Sequence, residues 1–254
     1  MGGTLEVMAG CDPVSYRAGS DVGVVVLHGF TGNPSSMRGV ADTLVAAGFD
    51  VELPRLPGHG TTIDDMLPTG WGDWMAETER VIDEIGQRVD RIVLVGQSMG
   101  GTLALAAALE HPELAALVCI NPATRARDEM TMAMIDEFID DGLEVVPGEG
   151  SDIADPESFD IAYDGTPLRP IRSLVVDGII PIAERYGELT MPLRLFTSRH
   201  DHVVEPADSE FLAATYGGPI EHSWLERSYH VATLDHDRDL VMSETLAFIR
   251  SVTP

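Results

Sequence analysis

A serine lies between two glycines in the segment GQSMG, residues 96–100. Residues 91–95 (RIVLV) have the composition of a buried strand and residues 102–109 that of a helix, so the turn between them is very tight. A G-x-S-x-G turn exposes the serine hydroxyl, and its glycines avoid collisions with the neighbouring strand and helix. The pattern predicts that Ser98 is a nucleophile. A glycine-serine turn without chemistry is the alternative, which the flanking strand and helix disfavour.

A serine hydroxyl becomes a useful nucleophile when a histidine takes its proton and a carboxylate orients that histidine. After a turn of this kind the partners follow in the order acid, then histidine, each in a loop beyond a later strand. Asp201 comes directly after the segment PLRLFTSRH, and His230 follows IEHSWLERSY. We therefore predict a triad of Ser98, Asp201 and His230, with Glu205 and Asp208 as fallback acids.

The other histidines are expected to be structural. His200 and His202 flank Asp201, but no third ligand at metal spacing accompanies them, so no metal site is predicted. Asp235 and His236 precede the last predicted helix and are interpreted as its capping residues. His111 is expected at a helix end, His222 on a strand surface and His59 in a turn. His28 is expected to brace its loop by hydrogen bonding.

Two backbone N–H groups are predicted to hold the oxyanion of the reaction. Met99 begins the helix after the nucleophile, where the helix dipole favours negative charge. The second donor is expected from the loop LHGFTGNP, with the N–H of Phe30 as the best candidate. Gly29 and Gly32 would let this loop approach the reacting carbonyl closely, so Gly29 is also a candidate substrate contact.

Strands with apolar residues on both faces alternate with helices along most of the chain. Strands are predicted at residues 22–27, 49–52, 91–95, 117–120, 192–197 and 220–225, and helices at residues 35–47, 71–88, 102–109, 207–216 and 238–251. This alternation indicates an α/β protein with a mostly parallel central sheet flanked by helices.

The alternation breaks between residues 121 and 190, which we call the cap segment. It contains a Met-rich helical stretch, an acidic Gly-containing stretch at residues 144–160 and another predicted helix at residues 171–188. Its position after the strand that follows the nucleophile helix predicts a helical cap over a pocket, with residues 1–120 and 191–254 forming the core. Met130, Met134 and Phe138 share one helix face and are candidate acyl-chain contacts; packing within the cap is the alternative.

The composition restricts the partners. The 254 residues include 42 acidic and 16 basic residues, all of the latter arginine, for a formal net charge of -26. This charge disfavours nucleic-acid and anionic-membrane binding, and we attribute it to a solvated acidic surface.

Cys11 and Cys119 are too few for a disulfide framework and are expected to be thiols. Neither a signal-peptide pattern nor a long apolar run is found, so a cytoplasmic protein without stable membrane insertion is expected. The oligomeric state stays open.

The motifs HGFTG, LPGHG, GQSMGG, HDHVV and SYHVATLD occur in this order. Together they resemble the α/β-hydrolase superfamily, and within it the bacterial carboxylesterases and thermostable monoacylglycerol lipases, over nearly the whole chain. The resemblance implies the α/β-hydrolase fold and serine-dependent hydrolysis of short to medium acyl esters, monoacylglycerols among them, without metal or cofactor. It places Ser98, Asp201 and His230 in the triad and Phe30 and Met99 in the oxyanion hole.

Other functions would use the same residues. A thioesterase, a serine peptidase and a C–C bond hydrolase share this triad, and a ligand-binding protein could keep the fold without turnover. A haloalkane dehalogenase is disfavoured, because it would need a carboxylate where Ser98 stands.

Overall fold

The protein is described by a computed structural model over residues 6–148 and 151–253. Residues 149–150 of the acidic stretch, residues 1–5 and residue 254 lie outside these described residues. The centre is a seven-stranded sheet in the order β1-β3-β2-β4-β5-β8-β9. Its strands are β1 (Val14–Tyr16), β2 (Val22–Leu27), β3 (Asp50–Leu53), β4 (Arg91–Gln97), β5 (Ala116–Ile120), β8 (Leu193–Ser198) and β9 (Ile220–Leu225). Only β1 runs antiparallel to its neighbour within this sheet, which confirms the predicted mostly parallel arrangement.

Helices cover both faces of the sheet. The principal ones outside the cap segment are α1 (Pro34–Ala46), α2 (Ile63–Met66), α3 (Trp71–Gly86), α4 (Met99–Glu110), α8 (Pro206–Thr215) and α9 (Arg238–Val252). Buried residues of α1 and α9 form one apolar cluster, and those of α3, α4 and α8 contribute to the other. In β2, Val24 and Val26 belong to the first cluster and Val25 and Leu27 to the second. Because alternate side chains point to opposite faces, a fully apolar strand is needed between two helical layers.

The cap segment lies between β5 and β8 and contributes no strand to the central sheet within the described residues. It contains α5 (Glu129–Asp140), a two-stranded antiparallel ribbon of β6 (Val145–Pro147) and β7 (Gly165–Pro167), and α6 (Leu168–Ser173). A π-helical turn (Leu174–Ile179), α7 (Ile180–Ala183) and a 3-10 turn (Tyr186–Glu188) complete it.

The short elements not predicted from the sequence include β1, α2 and the two strands of the cap ribbon. The helix predicted at residues 171–188 is confirmed as an unbroken helical stretch up to Ala183, but it contains a π-helical turn, and residues 186–188 form a separate 3-10 turn. Pro181 has no N–H to continue the hydrogen-bond ladder, and the turn before it widens so that Ile180 N–H bonds to the carbonyl of Val175.

No helix in the described ranges is both long and apolar enough to span a bilayer.

Candidate active site

Ser98 forms the corner between β4 and α4. Its backbone has φ 53° and ψ -121°, a conformation with positive φ that residues other than glycine rarely adopt. A Cβ on Gly96 would lie 2.1 Å from the carbonyl oxygen of Gly100, and a Cβ on Gly100 would lie 2.2 Å from the carbonyl oxygen of Leu27. Both positions therefore require glycine, as the collision argument predicted.

Asp201 and His230 come together from the loops that follow β8 and β9. His230 Nδ1 lies 2.8 Å from Asp201 Oδ2, and the Asp201 side chain is 1% exposed. The other carboxylate oxygen accepts the backbone N–H groups of Val203 and Val204, at 2.9 and 2.8 Å. The Asp201 carboxylate can only accept a hydrogen bond, so Nδ1 of His230 carries the proton. The Nε2 atom of a neutral His230 can then act as a base.

The loop carrying His230 is hydrogen-bonded to the core by polar residues that were not predicted from the sequence. Asn121 follows β5, has φ 45°, and donates from Nδ2 to the carbonyl oxygen of His230 at 2.8 Å. It also accepts the backbone N–H of Ser198 at 2.7 Å. Thr233 donates to Gln97 Oε1 at 2.7 Å, which ties the loop to the nucleophile strand. The only sequence signal of Asn121 is its position directly after β5, and Thr233 carries no such signal.

The loop of the predicted oxyanion donor Phe30 is held through its carbonyl groups. His28 Nε2 accepts the N–H of Leu56 at 3.1 Å, so Nδ1 carries the proton and donates to the Gly29 carbonyl at 3.0 Å. Burial holds the pKa of His28 well below its ordinary value, which keeps the ring neutral for this double role. Thr31, at φ 59°, donates from its hydroxyl to the Phe30 carbonyl at 2.6 Å. A donor loop fixed in advance needs no reorganisation during a reaction. The predicted bracing by His28 is confirmed.

Gly29 lies directly against the predicted nucleophile, since a Cβ at this position would be 3.3 Å from Ser98 Cβ. The second predicted donor, Met99, is the first residue of α4 and is fully buried. Thr31, Ser98 and Asn121 are the non-glycine residues with positive φ among the described residues, and all three belong to these loops. Backbone strain is therefore concentrated where the predicted chemistry lies.

A cavity of about 730 Å³ opens between the core and the cap segment. The core contributes Phe30, Ser98 and His230 to its lining, and α5 contributes Met134 and Phe138. The prediction for Met130 was wrong, because its side chain is 82% exposed and it is not among the described residues that line the cavity. Met130 lies in the first turn of α5, one turn before Met134, and its side chain extends into solvent.

Asp160 also lines the cavity, and the sequence reading did not select it. Its Oδ1 atom is buried and accepts no hydrogen bond within the described part of the chain. Burial raises the pKa of this carboxyl to about 6. Asp160 is thus a cavity-lining residue with a carboxyl group in a partly desolvated environment.

The fallback acids have other contacts. Asp208 Oδ1 accepts the backbone N–H groups of Thr124 and Arg125, both at 2.9 Å, and so fastens the start of the cap segment. Burial raises the pKa of Asp208. Glu205 is the residue before α8, at its N-cap position.

The interpretation of Asp235 and His236 as helix caps was wrong, because Asp237 occupies the N-cap position of α9. Asp235 is fully buried and accepts backbone N–H groups from both the cap segment and the core. Its Oδ2 accepts from Ala154 and Tyr229 at 2.8 Å, and its Oδ1 from Asp155 at 2.9 Å and from His236 at 2.7 Å.

Four further histidines have identifiable contacts. His59 Nδ1 lies 2.9 Å from the Pro57 carbonyl, and burial lowers the pKa of His59 to about 4. For His111, burial opposes protonation, but hydrogen bonds to Glu79 and Glu113 raise its pKa. His222 lies on β9 with Nε2 2.8 Å from the hydroxyl of Thr197. His202 Nδ1 lies 2.8 Å from Asp152 Oδ1.

Comparison with known proteins agrees with this architecture. Residues 24–244 match the model of the alpha/beta hydrolase family. The chain is 35% identical over 246 residues to a thermostable monoacylglycerol lipase of Bacillus sp. (strain H-257), covering 95% of each chain. It is 24% identical over 242 residues to a carboxylesterase of Bacillus subtilis (strain 168), covering 94% of this chain and 96% of that one.

Among solved structures, one from a study of the metagenome-derived lipolytic enzymes LipS and LipT superimposes with a TM-score of 0.91. It has 39% sequence identity and covers 97% of this chain and 100% of the other. A monoacylglycerol lipase of Paleococcus ferrophilus shares the fold at 18% identity, with a TM-score of 0.76 over 95% of this chain and 99% of the other. Because the family model spans most of the sequence, the chain belongs to the alpha/beta hydrolase family.

Proposed function

We propose that this serine ester hydrolase cleaves short- to medium-chain acyl esters, monoacylglycerols among them, with Ser98, Asp201 and His230 as its catalytic triad. The main support is the contact between His230 Nδ1 and Asp201 Oδ2, at 2.8 Å, beside a cavity that Ser98 also lines. Lipases and carboxylesterases among the relatives of the chain agree with this chemistry.

In this mechanism Ser98 Oγ bonds to the ester carbonyl carbon while its proton passes to His230 Nε2. The negative charge that develops on the carbonyl oxygen is held by the N–H groups of Phe30 and Met99. The C–O bond then breaks, the departing alcohol takes the proton from His230, and an acyl-serine remains. Water, deprotonated by His230, releases the carboxylic acid and regenerates Ser98. Asp201 keeps the imidazole oriented and stabilises its protonated form.

The cavity supports an ester whose two sides differ in polarity. We infer that the cap segment, residues 121–190, covers a site built on residues 1–120 and 191–254. Met134 and Phe138 offer apolar contact to an acyl chain, and thioether side chains adapt to varied shapes. Asp160, also a residue of the cavity lining, offers a carboxyl group to a hydroxyl on the alcohol side. A glyceryl ester carries both features.

The surroundings in which this activity would operate follow from composition. A net charge of -26 makes anionic polymers poor partners, so the proposed substrate is a small neutral ester rather than a nucleic-acid complex. Cys11 and Cys119 are buried free thiols, which fits the proposed cytoplasmic location.

The nucleophile is tested with Ser98→Ala. We expect kcat on p-nitrophenyl butyrate to fall on the order of 10⁴-fold or more, because no other group can form the acyl intermediate. Covalent labelling by a fluorophosphonate probe should vanish at the same time. Both are measured on purified protein whose fold is checked by circular dichroism.

Ser243→Ala is the matched control, because Ser243 is an exposed serine of α9. It should retain both activity and labelling. A folded wild-type protein that ignores the probe would favour the ligand-binding alternative. Faster turnover of acyl thioesters or aminoacyl amides than of all oxygen esters would favour a thioesterase or a peptidase.

A further inference from the structure

The acidic stretch of the cap segment contains a tie between the two loops of the proposed triad. We call residues 151–163 the strap. Asp152, within the strap, has a side chain that is 12% exposed. Its Oδ2 atom accepts the backbone N–H of His202 at 3.1 Å and that of His230 at 3.0 Å. One carboxylate oxygen therefore joins the residue after Asp201 to the proposed base itself.

Two further bonds reinforce this contact. Asp152 Oδ1 lies 2.8 Å from His202 Nδ1, and the Asp152 carbonyl accepts the N–H of Val231 at 3.1 Å. His230 is thus held at its N–H by the cap segment and at its carbonyl by Asn121 of the core. Because both backbone groups of His230 are fixed, so is the point from which its ring reaches Asp201.

The strap is anchored well enough to fix other residues. Buried Asp235 accepts the N–H groups of Ala154 and Asp155 just beyond Asp152. At the other end, Tyr163 N–H donates to the carbonyl of Thr31 at 3.2 Å, beside the proposed oxyanion donor. The same short segment therefore contacts the acid loop, the histidine loop and the oxyanion loop.

We propose that Asp152 is a positioning residue for ester hydrolysis, which sets the spacing between Asp201 and His230 from the cap segment. This inference rests on the proposed function. Asp152 does not exchange a proton with the substrate; it accepts one N–H group from each of the two loops and so restricts their separation. A displacement of about 1 Å at a catalytic group can cost on the order of 10²-fold in rate.

The test compares Asp152→Ala with Asp152→Asn on p-nitrophenyl butyrate. Alanine removes the acceptor, and we expect kcat to fall on the order of 10- to 100-fold with a smaller change in KM. Asparagine keeps a carbonyl oxygen that can accept both N–H groups, so it should return kcat to within about threefold of wild type. If the alanine variant does not fold, Asp152→Ser replaces it, because a hydroxyl is too short to bridge both loops.

Asp155→Ala is the matched control. Asp155 is in the same strap, its side chain is 13% exposed, and it pairs with Arg238 of α9 rather than with the triad loops. Its kcat should stay near wild type even if the melting temperature falls. Folded Asp152→Ala or Asp152→Ser protein with wild-type kcat overturns the proposal, and so does an equal kcat loss in Asp155→Ala. All these variants keep Ser98, so a failure here is distinct from a failure of the nucleophile test.

Discussion

At the level of single residues, several buried carboxylates of this site accept backbone N–H groups. Asp201, Asp208 and Asp235 each accept at least two of them. The chain has 42 acidic and only 16 basic residues, so cations are scarce as partners. A hydrogen bond from a fixed N–H group satisfies a buried carboxylate and also specifies the position of a loop. Acidic residues therefore organise this site through geometry as well as charge.

Buried neutral histidines predict how stability depends on pH. The pKa of His59 is about 4 in the folded protein, below its ordinary value of 6.5. Between these values the unfolded chain binds a proton that the folded chain excludes, so the free energy of unfolding falls as pH falls. His59→Gln should flatten that fall by about 2 kcal/mol between pH 7 and pH 5. Urea denaturation at both pH values measures the difference.

His111 gives the control of opposite sign. Its pKa is raised by Glu79 and Glu113, so the stability it contributes is present at low pH and is lost as pH rises through its folded pKa. His111→Gln should therefore make the decline on acidification steeper. Parallel stability curves for wild type and His59→Gln would contradict the assignment of His59 as a buried neutral ring.

At the level of secondary-structure elements, the nucleophile turn depends on the close packing of β2, β4 and α4. Gly100→Ala would place a Cβ 2.2 Å from the backbone of Leu27, and neither element can yield without moving the sheet. We expect a loss of several kcal/mol in unfolding free energy, or no soluble protein. Thermal and urea unfolding measure this loss.

Gly72→Ala in α3 is the control for this change, because nothing lies within 4 Å of a Cβ there. It should be neutral or stabilise the protein by up to about 1 kcal/mol. Similar unfolding free energies for the two variants would show that the turn at Ser98 tolerates more bulk than its geometry implies.

The face of α5 gives a prediction about chain length. Met134 lines the cavity, whereas Met130 is 82% exposed one turn earlier. Met134→Ala should raise KM for p-nitrophenyl decanoate about 3- to 10-fold relative to the acetate, because apolar contact with the acyl chain is lost. Met130→Ala should change neither value. An unchanged KM for the decanoate in Met134→Ala would remove Met134 from the proposed acyl-binding surface.

Long helices and strands were predictable from the sequence because the regular spacing of their apolar residues repeats several times. The predicted helix at residues 71–88 corresponds to α3 (Trp71–Gly86), and the strand at 22–27 to β2. Strand β1 and the cap ribbon have three residues per strand, too few to show a period. In the cap segment, composition correctly indicated helix at α5 and at residues 171–183, but it did not reveal the π-helical turn that precedes Pro181.

At the level of the whole molecule, residues predicted as catalytic come from motifs with a fixed chain order, whereas those that hold them do not. Ser98, Asp201 and His230 could be selected because each follows a recognisable strand. Asp152 and Asp235 could not, because their partners are backbone N–H groups, which every residue except proline possesses. Long-range ties of this kind leave no residue-type pattern in a single sequence.

The anchoring of the strap to Asp235 bears on how such proteins can be recombined. Asp235 lies downstream of His230, yet it accepts N–H groups of Ala154 and Asp155 as well as of Tyr229. A chimera that imports residues 121–190 from another hydrolase, but keeps the native carboxyl-terminal region, would mismatch donors and acceptor across the graft. The inserted segment and the histidine loop are therefore a single unit of exchange, and shuffling libraries should cut outside both.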